Sequence, residues 1–531
     1  MGTSNAEGLG CRFVAYGRQS IAAGPGVWNI SIYRHQEVPL SSSTTVLPAD
    51  QSLKREFNLW SSFAFAFAFI SPIVALYGIF GLAITAAGPS FWWGFFLVFA
   101  GQLLVAFVFA ALVSRWPIEG SIYQWSRRLL GSGYGWFAGW AYTWTLVIAM
   151  ATVALGAAGF IANIAGINAP TGTQRAVIAF VILLCGTAMN LVGRQTLKIF
   201  MTGSIIAEVV GSIGLGTWLL LFHRHNSLGV LFHGTGAGTG GGYLSLSGPF
   251  LVAVAFVGWS FVGFESAGAI AEEVQEPRKN LPKAVISSLT FIAVVVIYSS
   301  LAIILAIPDL SAVASGKIAD PVSFTLTSAL GSGIAKPVEV LFVIGFLASF
   351  LALQTSASRL IWAFARDRAL PGSAVLSRLS SSERLPRAAI LVTTVIGAVL
   401  FLLSELATNV YTIMVNFSSG GFFLAFLFPL IGLLVVQLRR KWIPGPFVLR
   451  YSLPLTVVAT VWVIFEFLNI AWPRRVNPQR YLDWSEWIMI AVLGVLGTVI
   501  YASVRRRIPD VASIDREEEA DEASGVAATT A

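Results

Sequence analysis

Apolar segments long enough to cross a bilayer recur along this chain, and no other feature constrains its fold as much. A transmembrane helix needs about 20 mostly apolar residues. Hydrophobic residues make up 56% of the 531 residues and charged residues only 11%, against roughly 25% charged in soluble domains. The sequence therefore predicts an all-α polytopic membrane protein with about twelve transmembrane helices. Spans 1 to 12 are predicted, in chain order, at Phe57–Thr85, Phe91–Val113, Tyr134–Ala162, Ala176–Leu191, Ile199–Phe222, Pro249–Ala271, Ala284–Ile307, Val338–Ala365, Ala388–Leu403, Val410–Val436, Leu453–Ala471 and Trp487–Ser503.

The loops between these spans differ in charge from one side to the other. Alternate loops on one side contain most of the lysines and arginines, including Arg127, Arg278 and Lys279, whereas the other side has few, such as Arg175 and Lys317. Short cytoplasmic loops carry the excess of basic residues. We therefore expect the basic side and both termini to be cytoplasmic. The net charge of +8 then reflects membrane orientation, so no nucleic-acid partner is predicted.

The histidines and cysteines give no sign of metal or redox chemistry. The histidines lie in the first tail or in the loop after span 5, and Cys11 and Cys185 are placed too differently to meet. A membrane enzyme would need a nucleophile with a base, or metal ligands, and a channel would show a filter or rings of like charge. We therefore expect no enzyme activity, no cofactor and no metal. The histidines are His35, His223, His225 and His233.

Two spans are interrupted near their middle. Span 1 contains Ser71-Pro72 within "FAFAFAFISPIVALYGIFGLAI", and span 6 contains Gly258 and Gly263 within "AFVGWSFVGFESAG". Proline removes a backbone donor and clashes with the preceding turn, which frees carbonyl groups. Secondary transporters break helices at corresponding positions of two inverted halves, where the unwound backbone binds substrate. The pattern predicts a secondary transporter.

Three motifs also resemble those of a known family. They are "RWPIEGSIYQW" after span 2, "GFESAGAIAEEVQEPRKNLPKAV" from span 6 into span 7, and "SASRLIWAFARDRALP" at the end of span 8. Together they resemble the signatures of the amino acid, polyamine and organocation (APC) superfamily, over roughly Lys54 to Arg507. The first motif departs from the family pattern because Ser121 replaces one glycine of a pair. The break "ISPIVALYGIFG" is similar to the amino acid/choline branch, whose members take amino acids, gamma-aminobutyrate or choline.

The resemblance implies a fold of five plus five inverted helices followed by two further helices. Alternating access would then take place around spans 1, 3, 6 and 8. The implied segments are a disordered cytoplasmic tail (1–53), the first repeat (54–222), an extracellular glycine-rich loop (223–247), the second repeat (248–437), spans 11 and 12 (438–507), and a disordered acidic cytoplasmic tail (508–531).

The two breaks, read together with the resemblance, predict a substrate site. Freed amides and carbonyls of span 1 would hold the carboxylate of a zwitterion, and carbonyls of span 6 would accept its ammonium group. Trp259 resembles a gating aromatic of amino-acid antiporters, although a packing role is the alternative. The predicted substrate-binding residues are Ser71, Pro72, Ile73, Val74, Phe256, Gly258, Trp259 and Ser260.

Coupling is predicted to involve acids inside the spans, because an ionisable group there is costly and marks a function by default. Glu265 is expected to sense protons or line the cavity; the alternative is a hydrogen bond to a small neighbour such as Ser266. Glu208 in span 5 either carries a cation or proton or only contacts another helix. Ser349 in span 8 falls near the family's sodium position. Proton coupling or exchange is favoured, with sodium coupling left open.

Charged residues at the end of span 6 are predicted to close a cytoplasmic gate by pairing with basic residues such as Arg366 or Arg128, unless they form a solvated loop. Glu466 is expected in span 11, outside the five-plus-five core. The predicted gate residues are Glu272, Glu273, Arg278 and Lys279.

The function predicted overall is transport of an amino acid or related small amine across the plasma membrane. The alternatives are a sodium-coupled choline, polyamine or gamma-aminobutyrate carrier, and a transporter-like amino-acid receptor. Small-molecule substrate and membrane lipids are the expected partners.

Overall fold

The computed structural model describes residues 55–167, 170–234, 242–318, 320–381, 383–404, 410–474 and 480–511. The two predicted tails, 1–53 and nearly all of 508–531, lie outside these ranges, as does part of the predicted loop 223–247. Within the described ranges, twelve helices are long and apolar enough to cross a membrane, which confirms the all-α polytopic prediction. Extended pairing in the described part is limited to one isolated bridge between Phe57 and Val274.

The helices follow the predicted spans closely. Span 1 is built from Leu59–Ile70, Pro72–Tyr77 and Phe80–Ala87, and span 6 from Pro249–Val257 and the 3₁₀ segments Gly258–Phe261 and Phe264–Glu273. Span 5 is Arg194–Val209 and Leu215–Phe222, joined by a π-helical turn. The remaining spans are Trp92–Arg115, Ser132–Ile164, Gly172–Val192, Pro277–Ala306, Ser332–Arg366, Arg387–Ser404, Val410–Leu438, Ser452–Ile470 and Ser485–Val504. Shorter helices between spans include Ile122–Leu130, Leu310–Ala314, Pro321–Leu330, Ser373–Leu376 and Arg480–Asp483.

The spans differ greatly in how far they are buried inside the protein. Span 3 is the most enclosed, with 83% of its apolar window buried, whereas span 12 has 11% buried. Span 3 packs along spans 8 and 10, and span 1 packs along spans 7 and 8. Spans 1, 3, 6 and 8, with 72% to 83% of their windows buried, therefore form the centre, and span 12 lies at the edge.

The break in span 1 has a local cause. The Ser71 N–H donates to the Phe67 carbonyl at 2.8 Å and ends the first helix. Ser71 then takes φ 50° and ψ 115°, an uncommon conformation for a residue other than glycine. Pro72 begins the next helix, where its missing N–H would be unpaired in any case. The Ser71 hydroxyl caps that helix by accepting from the Val74 N–H at 3.2 Å.

The break in span 6 depends on glycine. Gly263 has φ +102°, and a Cβ atom there would lie 2.3 Å from the Phe69 ring. Only glycine fits both the backbone conformation and this close approach. The break of span 6 therefore lies against the end of the first helix of span 1. The inverted relation between the two halves stays a prediction.

The ends of the spans gather at two faces. At one face, the Phe57 N–H donates to the Glu273 carbonyl at 2.9 Å, which joins the start of span 1 to the end of span 6. At the other, the Lys336 ammonium donates to the Ile164 carbonyl at 3.1 Å, which joins the start of span 8 to the end of span 3. We call the face with the Phe57–Glu273 contact the basic face, and the face with the Lys336–Ile164 contact the opposite face.

Candidate functional site

A small cavity lies where the breaks of spans 1 and 6 meet spans 3, 8 and 10. Its volume is about 20 Å³, which is room for about one water molecule. Ser349 is the polar side chain on a wall that is otherwise apolar. The lining residues are Phe69, Ile70, Val74, Ala75, Ala149, Val153, Trp259, Val262, Ser349, Leu353 and Phe422.

Val74 and Trp259 are the predicted substrate residues that line this central cavity. Ile73 packs instead against Gly211 of span 5 and Gly345 of span 8, so its side chain points away. Ser71 and Pro72 are buried at the break. The Val74 amide is not free in this arrangement, because the Ser71 hydroxyl accepts its hydrogen bond.

The predicted residues of span 6 are dispersed around the break. Phe256 lines a different cavity, near the opposite face. Gly258 lies against Glu466 of span 11, whose Oε1 atom would be 2.8 Å from a Cβ atom there. The Ser260 hydroxyl donates to the Ala75 carbonyl at 2.5 Å, so Ser260 ties span 6 to span 1.

Glu265 holds the break of span 6 to span 3. Its Oε1 atom accepts from the Tyr142 hydroxyl at 2.9 Å, and its Oε2 atom accepts from the Gly263 N–H at 3.0 Å. The side chain is fully buried but does not line the central cavity. Ser266 is not its partner, because the Ser266 hydroxyl makes no hydrogen bond.

Glu208 lies at the break of span 1. Its Oε2 atom accepts from the Ser71 hydroxyl at 2.7 Å, while its Oε1 atom is buried without a partner. One turn further along span 5, the Gly211 carbonyl accepts from the Tyr77 hydroxyl at 2.9 Å. The π-helical turn that begins at Val210 is of a kind often found at functional sites. Span 5 is thus bonded to both sides of the break.

Ser349 also contacts span 1. Its hydroxyl donates to the Phe69 carbonyl at 2.8 Å. From the family resemblance, a carbonyl of span 1 and a hydroxyl of span 8 are the groups expected to bind sodium. In this structure the Phe69 carbonyl and the Ser349 hydroxyl are hydrogen-bonded to each other.

A larger cavity opens toward the opposite face. It has a volume of about 520 Å³, and Arg175 and Asp320 are among its lining residues. Two aromatic side chains separate it from the central cavity: a Cβ atom at Gly78 would lie 2.8 Å from the Trp259 ring, and the Tyr411 hydroxyl donates to the Gly78 carbonyl at 3.0 Å. We call this larger cavity the vestibule, and Trp259 with Tyr411 the aromatic seal.

Ion pairs close the basic face. Glu273 is fully buried between Arg194 and Arg359, with Arg359 Nε at 3.0 Å from its Oε1 atom. Arg366 Nη1 lies 2.9 Å from both oxygens of Glu272. We call these five residues the ionic seal; Arg127, which pairs with Asp367, lies alongside them.

The ionic seal corresponds only partly to the predicted gate. The pairing of Glu272 with Arg366 is present. Glu273 pairs with Arg194, which was not among the predicted gate residues. Lys279 does not join these pairs, because it contacts the exposed Glu276 at 3.3 Å.

Glu119 is a buried acid beside the ionic seal that sequence reasoning missed. Its N–H donates to Glu272 Oε1 at 3.2 Å, yet neither of its own carboxyl oxygens has a hydrogen-bond partner. Burial raises the pKa of Glu119 well above its usual range, and the negative charges of Glu273 and Glu272 raise it further, against opposing effects of Arg359 and Arg366. Burial and the two neighbouring carboxylates thus favour the protonated form of Glu119 while this seal is closed.

Similarity to known proteins decides the family. The family model described as amino acid permease matches residues 57–498. The chain belongs to the amino acid permease family. Membership of this family makes the chain an amino acid transporter, and its apolar helices make it a multi-pass membrane protein.

Individual relatives are similar along most of their length. The permease is 26% identical over 465 residues to an uncharacterized amino-acid permease of Schizosaccharomyces pombe, covering 84% of this chain and 82% of that protein. It is 26% identical over 499 residues to the branched-chain amino acid permease BcaP of Bacillus subtilis, covering 90% and 98%. It is also 25% identical over 442 residues to a methylthioribose transporter of Bacillus subtilis, covering 80% and 88%.

Proposed function

We propose that this permease moves an amino acid with an apolar side chain, and that proton binding to Glu208 and Glu265 couples the movement to a proton gradient. The walls of the central cavity support the substrate class, since they are built from aliphatic and aromatic side chains with Ser349 as the polar exception. The similarity to a protein named as a branched-chain amino acid permease agrees with this choice.

One observation carries the coupling proposal: each helix break is held by a buried carboxyl group. Glu208 accepts from Ser71 at the first break, and Glu265 accepts from Gly263 at the second. An ionised carboxylate only accepts hydrogen bonds, whereas a protonated one also donates. Proton binding would therefore change the bonds that fix both breaks, which is where substrate must bind.

Sodium coupling is the alternative, and the contact of Ser349 with Phe69 weighs against it. A sodium ion at that position would need the Phe69 carbonyl and the Ser349 hydroxyl as ligands. These two groups bond each other at 2.8 Å, so the hydroxyl would first have to give up this hydrogen bond to bind the ion.

The transport cycle follows from the two seals. With both seals closed, the central cavity holds about one water and the vestibule leads to the opposite face. Displacement of Trp259 would admit substrate from the vestibule. Separation of Glu272 and Glu273 from their arginines would release it at the basic face.

We place the permease in the plasma membrane with its basic face in the cytoplasm. The distribution of Lys and Arg among the loops supports this orientation. The vestibule is then extracellular, and the direction of movement is uptake.

Proteoliposomes test the coupling directly. Uptake of labelled leucine would be compared under an imposed proton gradient, under a sodium gradient and with unlabelled leucine inside. We expect accumulation under the proton gradient alone. We expect Glu265→Gln and Glu208→Gln each to abolish gradient-driven accumulation.

Glu339→Gln is the matched control, because Glu339 is also a buried acid in a span but bonds Asn163 of span 3 at 2.8 Å, away from both breaks. The Glu339→Gln variant should still accumulate leucine under the proton gradient. Accumulation driven by sodium would contradict proton coupling, and uptake that occurs only with internal leucine would show exchange. A panel with acidic and cationic amino acids, gamma-aminobutyrate and choline tests the substrate class separately.

A further inference from the structure

A third cavity lies on the outer side of spans 3 and 10, where span 12 covers them. Its volume is about 210 Å³. Aromatic rings from spans 3 and 10 form much of its wall, namely Phe137, Trp140, Trp144, Phe417 and Phe428. Neither the substrate site nor the two seals use any of these residues. We call it the edge cavity.

Glu486 of span 12 lines the edge cavity and has no counter-charge. Its side chain is 7% exposed, and its Oε2 atom is buried without a hydrogen-bond partner. Its Oε1 atom lies so close to span 10 that a Cβ atom at Gly420 would be 2.3 Å away. No basic side chain within the described ranges forms an ion pair with it. Glu486 is in the first turn of its helix, and a glutamate that is almost fully buried normally has a partner.

The walls of the edge cavity indicate what that partner is. Faces of Trp, Tyr and Phe rings attract cations, and aromatic cages recognise substituted ammonium groups. A carboxylate beside such rings adds direct charge complementarity. We propose that the edge cavity binds a small hydrophobic amine cation, with its ammonium group at Glu486 and its apolar body among the aromatic rings.

The size of the cavity limits this ligand. About 210 Å³ is below the roughly 300 Å³ at which pockets for drug-sized ligands begin. The ligand is therefore an amine with a single aromatic ring or a short branched aliphatic group. Only part of a long lipid chain would fit into the edge cavity.

The edge cavity and the central cavity share a wall. Ala149 and Phe422 line the central cavity, while their near neighbours Thr145 and Gly421 line the edge cavity. A bound cation therefore presses on spans 3 and 10 from behind. We expect it to inhibit transport without competing with substrate.

Benzyltrimethylammonium and its uncharged isostere neopentylbenzene test the proposal on the purified full-length permease. Binding of each is measured by equilibrium dialysis in detergent. The cation should bind the wild type and bind Glu486→Gln at least about tenfold more weakly, which is the loss of about 1.4 kcal/mol. Neopentylbenzene should bind both proteins alike, and more weakly than the cation binds the wild type.

Further variants separate the outcomes. Met489→Trp fills the edge cavity while Glu486 stays, so it should also block the cation even if Glu486→Gln folds poorly. Glu339→Gln should leave binding unchanged. Equal binding of the cation to the wild type, Glu486→Gln and Met489→Trp would overturn the proposal. So would equal affinity of the two isosteres for the wild type, which would show an apolar cleft.

The central cavity is the competing location for such a cation. Loss of binding in Trp259→Ala but not in Met489→Trp would place the cation there and overturn the proposal. In leucine uptake assays, we expect the cation to lower the maximal rate of the wild type without changing the substrate KM. Glu486→Gln should transport normally and resist this inhibition. Cation binding and its inhibition of uptake can be measured whether protons or sodium ions drive transport.

Discussion

The two seals of the central cavity are built from different chemistry. The aromatic seal toward the vestibule consists of Trp259 and Tyr411, with one hydrogen bond to the Gly78 carbonyl. The ionic seal at the basic face consists of buried charges, with Glu273 and its two arginines each no more than 2% exposed. One seal is a thin layer of rings, and the other is a network that spans several helices.

This difference has a consequence for the order of movements. A ring can change rotamer on its own, whereas parting a buried ion pair exposes charges that must be hydrated. The aromatic seal can therefore respond to a substrate in the vestibule without moving whole helices. Opening the ionic seal requires spans 5, 6 and 8 to separate together, because Arg194, Glu273 and Arg359 come from these three spans.

The largest effect is expected from Glu273→Ala. This change leaves Arg194 and Arg359 buried without a carboxylate, and removing one partner of a buried pair destabilises a protein by about 3–5 kcal/mol. We expect a clear fall in the apparent Tm in detergent and loss of leucine uptake. Glu276→Ala is the control, because its pair with Lys279 is exposed and is worth at most about 1 kcal/mol. Equal Tm values for the two variants would show that the ionic seal contributes no stability.

Trp259→Ala should open the aromatic seal. Replacing a buried Trp by Ala removes about 3–5 kcal/mol of packing, so the central cavity would join the vestibule. A reporter cysteine at Ala149, with Cys11 and Cys185 changed to serine, would measure access. We expect a membrane-impermeant thiol reagent applied at the opposite face to react at least about tenfold faster. Trp218→Ala, at a surface residue that is 48% exposed, should not change the rate; equal rates in all three proteins would mean that Trp259 is not the barrier.

The pH at the basic face should act on the ionic seal through Glu119. The pKa of Glu119 is raised in the closed seal, and an exposed Glu titrates near about 4.3. The closed state therefore holds the extra proton. The stabilisation this proton gives is complete below the exposed value and is lost as pH rises through the raised one. Opening should accordingly become easier as the pH at the basic face increases.

Glu119→Gln distinguishes the pH dependence caused by Glu119 from any pH dependence caused by the coupling acids Glu208 and Glu265. Glutamine mimics the protonated carboxyl, so leucine exchange without a gradient should depend less on the pH at the basic face than in the wild type. Glu119→Asp should keep the wild-type slope. Identical pH profiles for the wild type and Glu119→Gln would exclude Glu119 as a source of the dependence.

Tyr411→Phe should have the smallest effect. It removes the hydrogen bond to the Gly78 carbonyl but keeps the ring, and such a bond contributes about 0.5–1.5 kcal/mol. The Ala149 cysteine should react about two- to tenfold faster. A change as large as that in Trp259→Ala would mean that the hydrogen bond, and not the indole ring, closes the vestibule.

The fold and the two breaks were predictable because their signals are local. The apolar segments are interrupted in the sequence by Ser71-Pro72 in span 1 and by Gly258 and Gly263 in span 6. The helices of the structure are interrupted at the same residues. The twelve spans follow from segment length alone. The family resemblance also rests on contiguous motifs, and the match over residues 57–498 confirms it.

The contacts within the site were less predictable because they depend on how distant helices are aligned. Glu208 and Ser71 are 137 positions apart, and a rotation of span 5 by one residue would separate them. Arg194 reads as an ordinary loop residue until span 5 is placed beside span 6. Glu466 lies in span 11, as predicted, but its contact with Gly258 of span 6 could not be read from the sequence. An acid inside an apolar segment was the available signal for Glu466, whereas Glu486 comes just before the predicted span 12.

The small volume of the central cavity bears on how the carrier returns after unloading. A site that collapses to the size of one water leaves no aqueous path through the protein when no cargo is bound. The empty carrier can then reorient without leaking ions and without needing a second amino acid for the return step. We expect net accumulation to be available to this permease, and a vesicle with no internal amino acid should fill as fast as one that has been preloaded.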